Sequence, residues 1–506
     1  MARRQIETER KFDAPPRTVL PPPEAFAALP GVAAAETGAT EHLDARYYDT
    51  ADLRLLRHRR TLRRRHGGHD AGWHLKQPAG AASRTEFHLP DAPGPPEEFL
   101  LRTRAFVRAS ALGPVAALRT ERRRLLLRDA QGRVLAEIAH DSVEAERLAG
   151  DRTGGTAPAD AVDLAWTEIE AELVDGEPDL LDAVEQLLAS AGIHRSASRS
   201  KVGRVLGAPA GSPGTDGAPV RHAPDGSWGA VVTALLREQV ARLLELDGEV
   251  RLDTPDAVHQ LRIAARRLRS TLRAHARALD LDDSAAEGLR RVGRALGSAR
   301  DHEVLGERLL AQVAALPPEE RPGPMARRIR SWARHGYRNQ WRQAVAVLSS
   351  PDYFALLDRL DAIAAAPPLR ARAAKPAESA LGTVLRRQQR RVAERMTAVH
   401  DAADRDAALH SVRKAAKRAR YAAEGAGARA LADRMKALQQ LLGERQDALL
   451  ARDTLRQLAE RAHASGEPGF GYGVLHAAQA AAVREADAQV EAVWRRASKP
   501  KLCQLD

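Results

Sequence analysis

Glu7, Glu9 and Lys11 occupy every second position of IETERKF, residues 6–12. Side chains alternate faces along a strand, so this spacing puts two carboxylates and an ammonium on one side. A second acidic alternation lies far along the chain, in WTEIEAELV. There Glu168, Glu170 and Glu172 share a face opposite Ile169, Ala171 and Leu173. Carboxylates gathered from two strands repel one another unless water, protons or cations intervene. Mg2+ or Mn2+ suits such an all-oxygen set, keeping several waters and taking a substrate phosphate as well. Basic strands lie between the acidic ones: Arg63 and Arg65 in TLRRRHGG, Lys76 in GWHLKQ, Arg84 and Glu86 in RTEFHL, and Arg119, Arg122 and Arg124 in LRTERRRL. On any one strand such charges read as cross-strand pairs on an exposed antiparallel sheet. Closed together into a barrel, they would line a single lumen suited to a triphosphate with a divalent metal.

The second half of the chain carries a different charge pattern. In DAVHQLRIAARRLRS (256–270), His259, Arg262, Arg266 and Arg269 follow steps of three and four residues, continued by Arg273. These steps keep them on one helix face, beside an apolar stripe of Val258, Leu261, Ala265, Leu268 and Leu272. The pattern returns 151 residues later in AALHSVRKAAKRARY (407–421), as His410, Arg413, Lys417 and Arg420 beside Leu409, Val412, Ala416 and Ala419. Arg267 recurs as Arg418, and LGSARDHEVL (296–305) is echoed by LGERQDALLA (442–451). A charged helix face is usually solvated, with acids compensating at neighbouring turns. Here the acids stand only at the ends, at Asp253, Asp256 and Glu424. Uncompensated like charges cost helix stability, so the duplicated stripe favours a bound anion. Guanidinium and ammonium groups suit phosphate oxygens. Base readers add aromatic stacking or base-edge amides, and aromatics are 4% of this chain, so a phosphate backbone without bases fits better than nucleic acid.

The elements that must position these groups change character near residue 208. Before it, short alternating runs separated by Gly, Pro and Asp predict an antiparallel sheet or barrel. PPEAFAAL and DLLDAVEQLLASAG read as helices. Residues 208–227, APAGSPGTDGAPVRHAPDGS, read as a Pro/Gly-rich linker. Beyond it, 3.6-residue periodicity predicts a helical bundle, and the internal repeat predicts four helices per half about a pseudo-twofold axis. A length of 506 residues allows two or three domains, and the net charge of +12 favours anionic partners. The lone Cys503 excludes a disulfide framework and a Cys-based zinc site within one chain. The chain opens without a signal-peptide pattern and lacks the ~18–20 apolar residues of a membrane span, which predicts a cytoplasmic protein. Gly67 and Gly68 read as a hairpin turn rather than a phosphate loop. His58, His66, His69, His74 and His88 lack zinc-site spacing, and Trp166 and Trp228 read as packing residues.

Residues 228–499, with H-x-x-R-x-x-x-R-R-x-R, LG-x-x-RD and HSVRKAAKRARY, resemble the CHAD domain, the conserved histidine α-helical domain. That resemblance implies two four-helix halves and inorganic polyphosphate bound by His259, Arg262, Arg266, Arg267, Arg269, His410, Arg413, Lys414, Lys417, Arg418 and Arg420. Arg386, Arg387, Arg390 and Arg391 would extend the surface. Residues 5–206, with E-x-E-x-K, YYDTADLRL, LRRR, the LK of GWHLKQ, RTEF, AEIAHD, E-I-E-x-E-L and SKVGRVL, resemble the CYTH family of triphosphate tunnel metalloenzymes. This implies an eight-stranded antiparallel tunnel with flanking helices, and an α+β chain of two domains, 1–207 and 228–499. Glu7, Glu9, Glu168 and Glu170 would hold Mg2+ or Mn2+, with Glu137 or Asp141 joining them. Lys11, Arg63, Arg65, Lys76, Arg84, Arg119, Arg122 and Lys201 would grip the triphosphate, and Arg122 or Arg124 would face inward. The expected activity is metal-dependent hydrolysis of tripolyphosphate or a related triphosphate, on a chain localised to polyphosphate or its granules. The alternatives are a non-catalytic polyphosphate-binding or sensing protein and, less favoured, a nucleic-acid-binding one.

Overall fold

Alternating charge needs a sheet whose two faces meet different surroundings, and the first part of the chain builds one by closing on itself. A computed structural model describes residues 2–15, 18–80, 83–148, 164–198, 200–207, 224–321 and 323–504. The chain divides into two compact units, residues 1–214 and 215–506. Most of the expected linker, residues 208–223, lies outside the described residues; its end is ordered, with Ser227 capping the first bundle helix.

The first unit contains strands β1 (Arg3–Ala14), β2 (Ala34–Thr37), β3 (Glu41–Asp49), β4 (Thr61–His66), β5 (Gly72–Pro78), β6 (Ser83–Leu89), β7 (Gly113–Arg128), β8 (Val134–Arg147), β9 (Leu164–Leu173) and β10 (His194–Arg195). Eight of them run antiparallel in the order β1-β6-β5-β4-β3-β7-β8-β9 and return to β1, giving the closed eight-stranded barrel. Strand β1 makes the closure: Arg3–Thr8 pair with β6, and Glu9–Ala14 pair with β9. The short β2 and β10 add to β7 and β1.

Five helices serve the barrel: α1 (Pro23–Ala27), α2 (Arg54–Arg57), α3 (Glu97–Val107), α4 (Pro178–Ser190) and α5 (Lys201–Leu206). Phe12, Leu127, Ile138 and Ile169 on the outer face are buried against Phe26 of α1 and Leu181, Val184 and Leu188 of α4. The helix α3 was not expected from the sequence. It covers β6, laying Arg102 over the Phe87 ring at 4.0 Å. The Asp of YYDTADLRL is structural: buried Asp49 accepts backbone N–H groups of Thr50, Leu55 and Leu56, fixing the start of α2. Ser200 caps α5, whose Val202, Val205 and Leu206 pack on Ala45, Leu118 and Val143 of the inner face. This apolar packing fills part of the barrel and leaves Lys201 beside its charged remainder.

The second unit is helical: α6 (Trp228–Arg251), α7 (Ala257–Ala274), α8 (Ser284–Ala315), α9 (Met325–Leu348), α10 (Pro351–Ala365), α11 (Ala377–Thr397), α12 (Arg405–Gly425), α13 (Arg429–Ala464) and α14 (Phe470–Ala497). In chain order α6–α9 correspond to α11–α14, so the repeat gives four helices per half, and α10 is an additional helix between them. The apolar stripes of α7 and α12 are buried as their periodicity requires. The long helices α8, α9, α13 and α14 share one core, in which Leu309, Ile329, Leu455 and Tyr472 meet. Trp228 is buried and donates its Nε1–H to His275 Nδ1 at 2.9 Å. Among the described residues no helix is long and apolar enough to cross a membrane.

Candidate metal and anion sites

The charged inner face of the barrel surrounds a cavity of about 360 Å³, within the size range of small-ligand sites. Glu7, Glu9, Lys11, Arg63, Arg65, Lys76, Arg84, Arg122, Glu137, Glu170 and Lys201 all line it. Asp141 and Glu168 lie deeper, both buried, where β8 and β9 place them opposite each other. One oxygen each from Asp141, Glu168 and Glu170 fall within 4.8 Å of one another. Three converging carboxylates match the hard oxygen donors that Mg2+ and Mn2+ take. Glu137 is not part of this group. Four residues from Asp141 on the same strand, it is displaced by ~13 Å and pairs with Arg124 at 3.3 Å instead. Glu7 and Glu9 also stand apart from the triad and face Lys76 and Lys11, at 2.7 Å and 3.6 Å.

The triad is held together by cations. Lys201 Nζ lies 3.0 Å from Asp141, 2.7 Å from Glu168 and 2.7 Å from Glu170, at the centre of the three. Arg122 grips both oxygens of Asp141, at 2.8 Å and 2.7 Å, and reaches Glu170 at 2.8 Å. Lys11 hydrogen-bonds Glu170 as well. Burial alone would raise Glu170, but Lys11, Lys201 and Arg122 override it and hold the carboxyl well below its ordinary range. Burial works against Asp141 in the same way and is overcome by Lys201 and Arg122. Trp166 is partly buried and donates its indole N–H to Glu168 at 2.6 Å, fixing that carboxylate.

Toward β1, β5 and β6 the balance reverses. Burial and neighbouring Glu86 push Glu7 up to about 8 despite Lys76. Burial, reinforced by Glu9 and Glu170, pushes Glu172 up to about 7. The lumen therefore contains carboxylates fixed in the charged form and others that exchange protons near neutrality.

Arg119 is a correction. Arg119 and Arg122 are three residues apart on β7 and cannot share a face. Arg119 is exposed on the outside, opposite Asp44 of β3 and Glu144 of β8. Arg122 and Arg124, two apart, both face the lumen. Sequence reading missed Glu41, Tyr47, Asp70 and the lumen position of His74. The alternation that selected Lys76 also points His74 inward, where it is buried against Glu86 at 2.8 Å. Asp70 comes from the hairpin turn, which no strand period reaches, and pairs with Arg65.

In the helical unit α7 and α12 pack together and merge their stripes. Arg266 Nε donates to Tyr421 OH at 2.9 Å, and Arg420 lies over the same ring at 4.6 Å. Arg262 extends over Gly297 toward Asp301, 3.6 Å away, and Arg413 lies over Gly443 facing Asp447. Glycine eases this approach at 443, where a Cβ would stand 3.2 Å from the Arg413 guanidinium; at 297 a Cβ would make ordinary contact with Arg262 at 3.5 Å. Burial, then Arg266, Arg413, Arg262 and Arg420, bring the Lys417 ammonium down to about 6. His259 and His410 are half-buried, and the Nδ1 of each has no hydrogen-bond partner among the described residues. Arg269 and Arg418 join Arg273, Arg391 and Arg395 in a second cluster, while Arg387 faces Arg277 and Arg391. Arg267 instead pairs with Glu424 at 3.1 Å, and Lys414 is exposed beside His410. Arg386 bonds Thr383, and Arg390 is exposed.

A CYTH domain family model matches residues 5–206, and a CHAD domain family model matches residues 234–456. An uncharacterized protein of Mycobacterium tuberculosis is 40% identical over 512 residues, covering 98% of this chain and 97% of that one. Among solved structures, PptA from Streptomyces chartreusis is 22% identical with a TM-score of 0.44, covering 53% of this chain and 99% of its own. The CHAD domain from the plant Ricinus communis is 24% identical with a TM-score of 0.43, covering 55% of this chain and 97% of its own.

The position of Lys201 yields a direct expectation. Its ammonium occupies the space a divalent cation would need, so Lys201→Met should leave the triad undercompensated and lower stability in EDTA by ~3 kcal/mol. Calorimetry of the full chain should show Mn2+ raising the barrel transition of the variant further than that of the parent. Equal responses to Mn2+ would separate Lys201 from the metal position.

Proposed function

The chain belongs to the proteins that join a CYTH domain to a CHAD domain, and we propose that its barrel is a metal-dependent triphosphatase and its bundle an inorganic polyphosphate-binding domain. The observation that carries the first part is the convergence of Asp141, Glu168 and Glu170 inside a lumen lined with cations. A divalent ion on these carboxylates would neutralise phosphate charge and activate water, and either Mg2+ or Mn2+ suits them. Arg63, Arg65, Lys76 and Arg84 then bind and orient the phosphate oxygens, and Arg122 and Lys11 hold Asp141 and Glu170 in the charged form. Phosphoryl transfer passes through a loose state whose charge spreads over those oxygens, which fixed guanidinium groups stabilise without reorganising. Glu172, poised near 7, is suited to hold the proton released from water. Tripolyphosphate is the favoured substrate: Tyr47 is tied to Arg63, and among the described residues the lumen offers no pair of rings to sandwich a base.

The bundle reading rests on the merged stripes, which bring Arg262, Arg266, Arg413 and Lys417 together with too few acids to compensate them. A polymer of phosphates relieves that repulsion along its length. Polyphosphate so held would keep the enzyme in the cytoplasm near polyphosphate granules and leave nucleic acid a poor competitor.

Two measurements test these assignments. Phosphate release from tripolyphosphate with Mn2+ or Mg2+ should fall at least ~100-fold in Glu170→Ala. Arg119→Ala, on the outer face, should leave it unchanged; undiminished release from Glu170→Ala would remove the lumen as the reaction centre. For the bundle, Lys417 is largely neutral above pH 6 when free, and a bound anion favours its charged form. Binding therefore takes up a proton, and polyphosphate affinity should fall as pH rises from 6 to 8, by at most about one decade per unit. Lys417→Arg should flatten that profile and bind more tightly at pH 8. An unaltered profile would take Lys417 out of the site.

A further inference from the structure

Helix α9 carries six arginines and no aspartate or glutamate. Arg328 turns to Glu467, at 2.6 Å, and Arg327 lies within the field of the same carboxylate. Arg330, Arg334, Arg338 and Arg342 follow one another at four-residue steps and are all exposed. None of these four makes a hydrogen bond, ion pair or ring contact among the described residues. They form a ridge ~18 Å long on the side of the helix opposite buried Met325 and Ile329.

The fold does not require this ridge. The corresponding helix of the other half, α14, balances Arg484, Arg495 and Arg496 with Glu485, Asp487 and Glu491 while packing into the same core. Like charges at four-residue spacing weaken a helix, so α9 bears a cost its counterpart avoids.

The residues around the ridge select the partner. Trp341 donates to Val250 O at 2.8 Å, Tyr337 OH to Asp253 at 2.5 Å, and Trp332 stacks near His302 at 5.0 Å. The aromatic side chains are thus turned into the domain, away from any role as a stacking platform for single-stranded nucleic acid. Between the arginines the exposed residues are Ser331, His335, Asn339 and Gln343, with no apolar side chain to enter a membrane. The ridge is also close to the merged stripes. Tyr337 lies within the field of Arg300, and Arg300 stands beside His259 at the edge of the α7–α12 patch.

We infer that the arginine ridge of α9 is a second phosphate-binding surface, which takes the overhanging length of a polyphosphate chain already held on the α7–α12 patch. The inference rests on the polyphosphate reading of that patch. A chain leaving the patch past Arg300 meets guanidinium groups about one helical turn apart, each able to bind phosphate oxygens bidentately.

The test compares full-length parent with R330E/R334E/R338E and the milder R330Q/R334Q/R338Q. Long-chain polyphosphate binding is measured directly, and tripolyphosphate, too short to leave the patch, is measured by its competition against the long chain, which reports the patch and not the lumen; both are done in EDTA, to prevent turnover, and at several salt concentrations. The charge-reversed variant should bind tripolyphosphate like the parent and the long chain about tenfold more weakly, with a salt slope reduced by roughly two to three. The glutamine variant should fall between. Equal long-chain binding by all three proteins would overturn the ridge alone. A parent that binds neither length would overturn the patch reading and the ridge with it. Loss of duplex DNA binding with unchanged long-chain polyphosphate binding would assign the ridge to nucleic acid and overturn the inference.

Discussion

Buried charge must be compensated where it lies, and the barrel is organised around that requirement. Desolvating an ion costs several kcal/mol unless a partner of opposite sign and good geometry accompanies it. Lys201, Arg122 and Lys11 meet it for Asp141, Glu168 and Glu170, whereas Lys76 offsets only part of it for Glu7. The barrel wall is what makes the arrangement affordable. Its stabilising apolar surface lies outside, where Phe12, Ile138 and Ile169 pack under α1 and α4, so the lumen can remain ionic. The short α5 contributes to both: its apolar residues fill part of the interior, and its first residue supplies the central cation.

The bundle handles charge in the opposite way. Its patch is predominantly cationic, with Asp301, Asp447 and Glu424 too few to balance it, assembled from two copies of the same helix and held by the apolar stripes beneath. Burial and that crowding together depress Lys417, and the Nδ1 atoms of His259 and His410 have no hydrogen-bond partner among the described residues. The two units thus carry similar residues in different electrostatic balance: a lumen in which both signs alternate, and a surface on which cations predominate.

Much of the barrel lumen was legible because strand alternation needs no tertiary information. Glu7, Glu9, Lys11, Arg63, Arg65 and Lys76 follow from it directly. The same alternation separates Arg119 from Arg122: the two have opposite parity, so only one of them can face the lumen. Register was not legible. Whether Glu137 or Asp141 meets Glu168 depends on how β8 slides against β9, which the pairing of Asp141 with Glu168 decides. Long-range placement was equally out of reach for Asp70, which enters the lumen from a turn. Helix α3 was passed over although Phe99, Thr103 and Phe106 follow helical spacing and are buried. In the bundle the duplicated stripes were visible, but their convergence through Tyr421 required knowing that α7 and α12 touch.

Duplication offers a way to separate what the helical fold needs from what has been added to it. Both halves keep an arginine laid over a glycine and aimed at an aspartate four residues further on: Arg262, Gly297 and Asp301, then Arg413, Gly443 and Asp447. Each half also keeps its histidine beside the residue three positions after that glycine, Arg300 in one half and Gln446 in the other. Packing alone would not demand a half-buried guanidinium over a bare backbone twice, because an apolar residue would fill that space at less cost. The shared features therefore belong to the merged cationic patch, and the differences lie on the outer surface of each half. On α14 that surface is charge-balanced, and on α9 it is not.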